Sequence, residues 1–434
     1  MISMKTVDII NLGCSKNLVD AESLFTQLRS NGLKVRLNPN VVDAQVVIVN
    51  TCGFIEDAKA ESIESIIEAT GYKHSGKTEK VIVMGCLSQR YKSDLKKEIP
   101  EVDAYYGVSE IPKIVRDLGL QYQQDKVLDR LHTTSPHYAY LKIAEGCDRA
   151  CSFCAIPGIR GKQISQPIEN LLKEANFLVN HGAKELILIS QELTRYGMDI
   201  YKKPALVQLL IELEKIEGLE WIRLHYTYPN LFHDELIQQI AQSKNICHYL
   251  DIPFQHFDDS VLQKMRRGHS REDALELIRR IRKAIPDIAI RTTILLGHPG
   301  ETEEAFNNLM KDLKQICFDR LGVFTYSHEE GTHAFENFDD DIPASIKRER
   351  ADAVMMLQQN ISLETNSSRI GSIQKVLIDK EEDDLFIGRT QYDSPEIDNE
   401  VLIKKEGQAL ITGSFFDIKI TDASEFDLHG ELLV

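Results

Sequence analysis

The sequence has no long hydrophobic run. No segment approaches the roughly 18 consecutive apolar residues that a membrane-spanning helix needs, and its first residues do not join a basic stretch to an apolar one as a secretory signal does. We therefore expect a soluble, cytoplasmic protein. Because disulfides are rare in that compartment, the eight cysteines are expected to be metal ligands, catalytic thiols or core residues.

The chain is also short of positive charge. It has 51 Lys and Arg against 67 Asp and Glu, a formal net charge of −16. This balance argues against a general affinity for nucleic acid, whose phosphates require a basic surface, and it favours a basic partner. Residues 370–434 alone hold 15 acidic and six basic side chains, a net of −9. A solvated surface that only keeps the protein soluble is the alternative.

Three cysteines, Cys147, Cys151 and Cys154, form a CxxxCxxC triplet without a fourth cysteine nearby. A 4Fe-4S cluster held by three thiolates leaves one iron open, and that iron can bind the amino and carboxylate groups of S-adenosylmethionine for one-electron cleavage. A structural zinc site is the alternative, but zinc usually takes four ligands in two pairs. The next cysteines, Cys247 and Cys317, lie in apolar stretches and are expected to be buried and inert.

Residues 1 to about 120 alternate short β-branched runs with amphipathic segments, which predicts a parallel sheet covered by helices on both faces. Cys14, Cys52 and Cys86 each follow the end of a predicted strand. Since the carboxyl ends of parallel strands share one edge, the three thiols are expected to converge, which favours a second cluster over buried core thiols. None of these turns carries GxxxxGKS or GxGxxG, so a nucleotide-binding loop is not indicated. The strands are predicted at 7–12, 45–50, 81–84 and 102–106, and the helices near 17–31, 57–70, 88–98 and 111–118.

The rest of the chain predicts two further units. The stretch 120–137 is polar and reads as a linker, and six β-then-helix units follow up to about residue 340, which suits a partial barrel with its chemistry at the carboxyl ends of the strands. A charged helix near 344–369 leads to short strands typical of a small β-barrel of the oligonucleotide-binding shape. We expect an α/β protein with domains at 1–120, 133–365 and 366–434. The central strands are predicted at 138–143, 185–189, 221–224, 248–252, 288–296 and 320–325, and those of the tail at 373–378, 385–388, 400–403 and 415–420.

These motifs resemble the methylthiotransferases, a family of radical S-adenosylmethionine enzymes, along the whole chain. The family combines an amino-terminal cluster domain, a central partial barrel and a carboxyl-terminal TRAM barrel. The resemblance implies that Cys147, Cys151 and Cys154 hold the S-adenosylmethionine cluster and that the amino-terminal cysteines hold an auxiliary 4Fe-4S cluster that handles sulfur. The motifs that carry it are Leu12-Gly-Cys-Ser-Lys-Asn-Leu-Val-Asp20, Asn50-Thr-Cys-Gly-Phe-Ile55, Met84-Gly-Cys86, Gly146-Cys-Asp-Arg-Ala-Cys-Ser-Phe-Cys154, Arg160-Gly161, Leu250-Asp-Ile-Pro-Phe-Gln-His256 and Gly297-His-Pro-Gly-Glu301.

The family has two branches. One modifies an adenosine of transfer RNA, and the other an aspartate of the twelfth small-subunit ribosomal protein. Thr194-Arg-Tyr-Gly197 and Phe324-Thr-Tyr-Ser327 resemble the second branch, and Cys52 is followed by Gly-Phe-Ile rather than by the basic run typical of the transfer-RNA enzymes. An acidic terminal barrel also suits a basic ribosomal protein. The resemblance leaves the electron donor and the sulfur donor open.

The resemblance also implies a reaction. A 5′-deoxyadenosyl radical removes a hydrogen atom from the β-carbon of the target aspartate, the auxiliary cluster supplies sulfur, and a second S-adenosylmethionine supplies the methyl group. A non-catalytic iron-sulfur scaffold that binds RNA or assists assembly is the alternative of another class. Such a scaffold would not need an open-site triplet at the mouth of a barrel together with a second three-cysteine site.

Five further side chains are candidates for binding cofactor or substrate. Phe153 lies between two ligands and is placed against the adenine, with ordinary packing as the alternative. Gln191 and Glu192 end a barrel strand and are assigned to the cofactor, with exposed loop polarity as the alternative. Arg195 and Tyr196 are assigned to the target carboxylate, with a surface ion pair as the alternative. At two positions this chain departs from the residue that is usual in the family. It has Glu192 where the family usually has Asp, and His298 where the family usually has Phe.

Overall fold

The structure is a computed structural model, and it describes residues 6–405 and 410–433. Its amino-terminal part is the predicted parallel sheet with helices on both faces, in the strand order β2-β1-β3-β4-β5. One strand, Lys34–Leu37, was not predicted, because it lies at the sheet edge and mixes charged with apolar residues. The elements are β1 (Thr6–Asn11), α1 (Ser15–Ser30), β2 (Lys34–Leu37), β3 (Val46–Thr51), α2 (Glu56–His74), β4 (Lys80–Gly85), α3 (Cys86–Glu98), β5 (Ala104–Tyr105) and α4 (Ile111–Asp117).

The central part is the predicted partial barrel. Six parallel strands form an open sheet in the order β13-β12-β11-β10-β9-β6, and its largest apolar core lies between these strands and the outer helices. A two-stranded hairpin, β7 with β8, brackets the segment that holds the cysteine triplet. The strands are β6 (Tyr138–Lys142), β7 (Ala144–Glu145), β8 (Ile164–Ser165), β9 (Glu185–Ile189), β10 (Trp221–Leu224), β11 (Ile246–Asp251), β12 (Ala289–Leu296) and β13 (Arg320–Thr325). The helices are α5 (Ile156–Arg160), α6 (Ile168–Asn180), α7 (Leu206–Leu213), α8 (Asp234–Gln242), α9 (Asp259–Lys264), α10 (Arg271–Ala284), α11 (Glu303–Ile316), α12 (His333–Asn337) and α13 (Ala344–Ser367).

The carboxyl-terminal part is a closed five-stranded barrel in the order β14-β15-β16-β18-β17. Its last strand was not predicted from sequence, because Leu428-His-Gly-Glu-Leu432 has few β-branched residues. Among the residues that the structure describes, none of the helices combines the length and apolar content needed to span a bilayer. The strands are β14 (Ile373–Glu382), β15 (Leu385–Thr390), β16 (Val401–Lys404), β17 (Phe415–Ala423) and β18 (Leu428–Leu432).

The loop between β15 and β16 enters the central barrel, passes the amino-terminal ends of its strands and reaches His225, just beyond β10. Ser394 lies 2.9 Å from the Nε2 of His225, and Tyr249 donates a hydrogen bond of 2.7 Å to Asp398. Arg389, the penultimate residue of β15, pairs with the buried Glu185 of β9. Desolvated ion pairs and hydrogen bonds across a domain contact are costly to break, because each leaves a buried polar group without its partner. These contacts therefore hold the terminal barrel against the central barrel.

The segment 120–137 is not a free tether, contrary to the linker prediction. Arg130 is almost fully buried: its Nε donates to Glu174 of α6 at 2.7 Å, and its Nη1 donates to Glu22 of α1. His137 is also buried and hydrogen-bonds to Asp379 of the terminal barrel at 2.7 Å. This polar segment therefore joins the three parts of the molecule through buried charges.

We predict that Arg130→Met lowers the free energy of unfolding by about 3–5 kcal/mol, because it leaves Glu22 and Glu174 buried without their shared cation. The control is Lys126→Met in the same segment, whose pair with Asp129 is exposed to solvent and should change the free energy of unfolding far less. Denaturant unfolding followed by circular dichroism measures both variants. Equal losses in the two variants would contradict a special role for Arg130.

Candidate active site

The cysteine triplet lies in a loop just beyond β6, at the carboxyl edge of the barrel. The β7–β8 hairpin closes the base of this loop, and the Cys147 backbone N–H donates to Gly161 at 3.0 Å. At its far side, the Ser152 N–H donates to Met265 at 2.9 Å and the Ser152 carbonyl accepts from Ala334 at 2.7 Å. The loop is therefore fixed at both sides by main-chain hydrogen bonds, and its three thiols lie in one region.

The environment of these thiols fits an iron-sulfur cluster. Burial, with a smaller contribution from the neighbouring thiolates, raises the pKa of Cys147 to about 11 and that of Cys154 to about 12. Clustered, desolvated thiols become ligands only when metal compensates their charge. The Arg149 N–H lies 3.4 Å from the Cys147 sulfur, and Arg267 Nη1 lies 3.3 Å from the Cys151 sulfur. Donors of this kind orient and tune cluster ligands.

The amino-terminal sheet brings Cys14, Cys52 and Cys86 to one edge, because they follow the adjacent strands β1, β3 and β4. Burial, with smaller contributions from Cys14 and Cys52, raises the pKa of Cys86 to about 12, as expected of neighbouring thiols. Gly13 has φ of +87°, and a Cβ there would lie 3.1 Å from the Cys52 sulfur. The residues present fit a second cluster, since glycine leaves room beside the sulfur.

The two groups of thiols meet at the junction between the amino-terminal domain and the barrel. Cys86 belongs to the same buried cluster as Ala155 and Ile159, which lie in the turn that follows Cys154. Arg160, which ends the same turn and is buried, donates to Asn17 Oδ1 at 2.5 Å, and the Cys86 thiol lies 3.5 Å from that oxygen. The side-chain amide of Asn17 thus connects Arg160 of the barrel with Cys86 of the amino-terminal domain.

A second contact holds the junction on its other side. Glu329, in the loop after β13, is only 4% exposed and accepts from Lys59 of α2 at 3.1 Å and from Arg90 of α3 at 2.8 Å. Arg90 Nη2 also donates to the Glu330 carbonyl at 2.6 Å. Two polar contacts therefore hold the amino-terminal domain over the carboxyl edge of the barrel. We call them the two clamps: Arg160 with α1 on one side, and Glu329 with Lys59 and Arg90 on the other.

The predicted cofactor candidates lie near the triplet. Gln191 donates to Glu145 at 2.8 Å. Glu192 is buried and accepts from Arg149 Nε at 2.9 Å, so exposed loop polarity is the wrong description of it. Phe153 packs with Val261 and Met265 and meets the ring of His298 edge-on, with 6.3 Å between centroids.

The two predicted substrate residues have different surroundings. Arg195 is partly exposed and lies 3.6 Å from Asp148, an ion pair at the rim of the triplet loop. Tyr196 is fully buried, and its hydroxyl donates to the Gln166 carbonyl at 2.7 Å. Its side chain is therefore occupied in the core, and the assignment of Tyr196 to the target carboxylate is wrong for this structure.

Of the two remaining cysteines, one follows the expectation and one does not. Cys247 is buried in the contact with the terminal barrel. Cys317 is exposed, because it ends α11 in a left-handed turn with φ of +50°. In the part of the chain that the structure describes, no group of three His, Cys, Asp or Glu side chains is arranged to hold a single metal ion.

Several contacts of the site were not predicted from sequence. Tyr228 lies between two guanidinium groups, those of Arg149 at 4.0 Å and Arg267 at 4.2 Å from its ring centroid. His298 lies 2.9 Å from Ser152 Oγ, and burial lowers its pKa to about 4, so it supports the triplet loop as a neutral ring. Arg149 belongs to the cysteine motif and was detectable there, whereas Tyr228 has no sequence signal.

Three family models match the chain. They are the radical SAM superfamily over residues 141–313, the uncharacterized protein family UPF0004 over 6–107, and the TRAM domain over 370–433. Two solved structures share the fold. The radical S-adenosylmethionine methyltransferase TsrM from Kitasatospora setae has a TM-score of 0.52 at 14% identity and covers 74% of this chain and 75% of its own. The cobalamin-dependent radical enzyme OxsB has a TM-score of 0.52 at 12% identity, over 82% and 56% of the two chains. The fold, the loop with the cysteine triplet and the match to the radical SAM superfamily model together define a radical S-adenosylmethionine protein.

Curated relatives narrow this class. The ribosomal protein uS12 methylthiotransferase RimO of Christiangramia forsetii is 50% identical over 98% of this chain and 94% of its own. Those of Flavobacterium johnsoniae and Cytophaga hutchinsonii are 49% and 50% identical, over 98% of this chain and 97% and 98% of their own. The chain belongs to this family of radical S-adenosylmethionine methylthiotransferases. The predicted branch is confirmed, and the non-catalytic scaffold is set aside.

We predict that native apo-protein reacts with iodoacetamide first at Cys14 and Cys317, because both are exposed. Cys86, Cys154 and Cys247 should react far more slowly, because burial raises the pKa of each to about 12 and few thiolates form near neutral pH. Peptide mass analysis of a timed anaerobic reaction measures the order. Equal labelling of Cys247 and Cys317 would contradict it.

Proposed function

We propose that this chain adds a methylthio group to the β-carbon of an aspartate in ribosomal protein uS12, using S-adenosylmethionine and two 4Fe-4S clusters. The observation that carries the proposal is the buried cluster that Cys86 shares with Ala155 and Ile159, which supports a position of the amino-terminal thiols beside the triplet loop. Radical formation and sulfur transfer at one carbon require the two sites to face the same space. The relatives' names supply the substrate.

In this proposal Cys147, Cys151 and Cys154 hold the cluster that binds S-adenosylmethionine, and Cys14, Cys52 and Cys86 hold the auxiliary cluster. When bound, these groups supply the one-electron cleavage that activates an unactivated C–H bond and the sulfur that replaces the hydrogen. The chain's own residues bind and orient the reactants and keep water out. The assignment of the six cysteines rests on their convergence in two groups of three and on the burial of the Cys86 and Cys154 thiols.

Two buried polar atoms support the cofactor assignment. Within residues 6–405 and 410–433, the Oε1 of Gln191 and the Nη2 of Arg149 have no hydrogen-bond partner. Both lie at the triplet loop, since Arg149 is part of it and Gln191 bonds to Glu145 at its start. Buried polar atoms left unpaired are costly unless a ligand satisfies them. We assign Gln191 to the amino or ribose groups of the cofactor and Arg149 to its carboxylate, with Glu192 orienting Arg149.

The clamps around the junction exclude water. Arg160 pairs with Asp20 of α1 at 3.1 Å and with Glu145 at 2.8 Å, and Glu329 holds Lys59 and Arg90 on the opposite side. A site closed in this way protects reactive species from solvent. The uS12 segment then has to enter between the clamps or open one of them.

The terminal barrel offers an acidic surface for a basic partner. Glu381, Glu382, Asp383 and Asp384 lie at the turn between β14 and β15, and the first two are 57% and 60% exposed. Asp379 does not belong to this surface, although its sequence suggests so, because it is paired with His137 and Arg389. Exposed charges of one sign accelerate encounter with a partner of the other sign.

The first test separates the two cysteine sets. Reconstituted protein should carry about eight irons, and changing either set of three to Ala should leave about four. The Cys14, Cys52 and Cys86 variant should still form 5′-deoxyadenosine but add no methylthio group, and the other variant should form neither product. Cys317→Ala is the control and should keep both activities. Zinc in place of iron, unchanged iron content, or full methylthiolation without the amino-terminal set would refute the assignment.

The second test concerns the partner. Changing Glu382 to Gln, and Asp383 and Asp384 to Asn, should slow uS12 modification at low salt and flatten its dependence on ionic strength, because exposed charges act over about 10 Å at 0.1 M salt. Asn suits position 383, whose φ is +47°. The control neutralises Glu235, Glu272 and Glu276 on α8 and α10, which are exposed acids of the central barrel. Formation of 5′-deoxyadenosine without substrate should stay constant.

Transfer RNA serves as the parallel substrate in the same assay. Its adenosine should gain no methylthio group, because the acidic barrel repels phosphates. Modified transfer RNA together with unmodified uS12 would replace the proposed substrate by that of the other branch.

A further inference from the structure

Lys16 is a buried lysine at the junction of the two domains. It lies in the first turn of α1, two residues after Cys14, and is only 7% exposed. Its ammonium lies 2.8 Å from the centroid of the Tyr226 ring, which follows β10 at the carboxyl edge of the barrel. The charge therefore lies at the mouth of the barrel, on the side of the amino-terminal thiols.

This ammonium has no counter-ion of its own. Among the residues that the structure describes, Lys16 makes neither a hydrogen bond nor an ion pair, whereas the buried Lys347 is paired with Asp340. Asp20, one turn along α1, is bound by Lys142 and Arg160. Because the side chain is largely buried while its ammonium keeps some exposure, an acceptor from outside the chain can reach it and is the expected partner.

The groups that face Lys16 from the barrel do not fill this role. Asp251 is near enough for the charge of Lys16 to lower its pKa, although burial has the larger, opposite effect. The Asp251 Oδ2 accepts from the Tyr226 N–H at 3.0 Å, and Arg291 lies 3.8 Å from the other oxygen. His225 is engaged with Ser394 of the terminal barrel. Arg291 is thus the nearer cation, and Asp251 lies beyond ion-pair distance of Lys16, although among the described residues its Oδ1 accepts no hydrogen bond.

Tyr226 is held in a conformation that presents its ring to the ammonium. Its φ of +58° is unusual for an aromatic residue. The ring packs against a buried cluster that contains Val19 of α1 and residues of β6 and β9. Strained backbone persists where surrounding contacts enforce it, and it concentrates at functional sites. A cation on the face of a tyrosine is held in place while its outer side stays open to an anion.

We propose that Lys16 binds the carboxylate of the target aspartate. This inference rests on the proposed function, and it names the residue that recognises the substrate. The β-carbon is bonded directly to that carboxylate carbon, so fixing the carboxylate fixes the carbon that receives sulfur. Lys16 follows Cys14 by two residues, so the carbon is held beside the amino-terminal thiols. The other carboxylate at the site is that of S-adenosylmethionine, which Arg149 in the triplet loop is placed to bind.

The test compares two uS12 peptides, one with the target aspartate and one with asparagine in its place. Reconstituted wild-type protein should bind the aspartate peptide at least about tenfold more tightly, as expected for a desolvated charge pair. Lys16→Met should lose this preference, and Lys16→Arg should keep part of it because the charge remains. Lys215→Met, at an exposed lysine on the outer face of the barrel, is the control and should leave the preference unchanged.

The outcomes separate the possible roles of Lys16. An undiminished preference in Lys16→Met overturns the inference, and so does weaker binding of S-adenosylmethionine with an intact preference, which would assign Lys16 to the cofactor carboxylate. Wild-type protein that modifies neither peptide nor whole uS12 refutes the proposed function instead. The iron content of each reconstituted variant shows whether its cluster sites have formed. If Lys16→Met lowers it, Lys16→Gln, which keeps a polar group at the junction, gives the same comparison.

Discussion

The buried guanidinium of Arg160 is the interaction on which the site depends. It ends the turn that follows Cys154, and it reaches across the domain junction to Asn17 and Asp20 of α1. The same Asn17 donates to the carbonyls of Leu12 and Thr51, at the ends of two strands that carry cysteines. One charge therefore fixes the orientation of both thiol groups relative to each other. Because a buried cation without its partners is costly, the two domains cannot separate at this point without penalty.

Much of the architecture could be predicted from sequence, because its signals are local. Continuous β-branched runs indicated the parallel strands, and the position of Cys14, Cys52 and Cys86 after strand ends indicated their convergence at one edge. Such inferences need only the period of the apolar pattern and the rule that parallel strands share a carboxyl edge. Edge strands such as Lys34–Leu37 escape this reasoning, since only one of their faces is covered and the apolar pattern weakens.

Long-range polar contacts could not be predicted. Arg130 and His137 lie in a stretch whose composition is that of a linker, yet both are buried against partners that are distant in sequence. Tyr196 stands beside Arg195 in a motif, but the turn of the chain directs it into the core. Lys16 looks like a surface residue of a first helical turn, and only the docking of the amino-terminal domain onto Tyr226 buries it. In each case tertiary contacts, rather than local composition, decide the role of the side chain.

The central claim is that two cysteine groups on different domains serve one reaction on a ribosomal protein. The most direct measurement is the mass of the small-subunit ribosomal proteins and of transfer RNA nucleosides from cells with this chain, without it, and with its Cys86→Ala form. The account predicts that uS12 carries one additional methylthio group only in cells with the intact chain, and that transfer RNA is the same in all three. Unchanged uS12 together with loss of methylthio-adenosine from transfer RNA would contradict it.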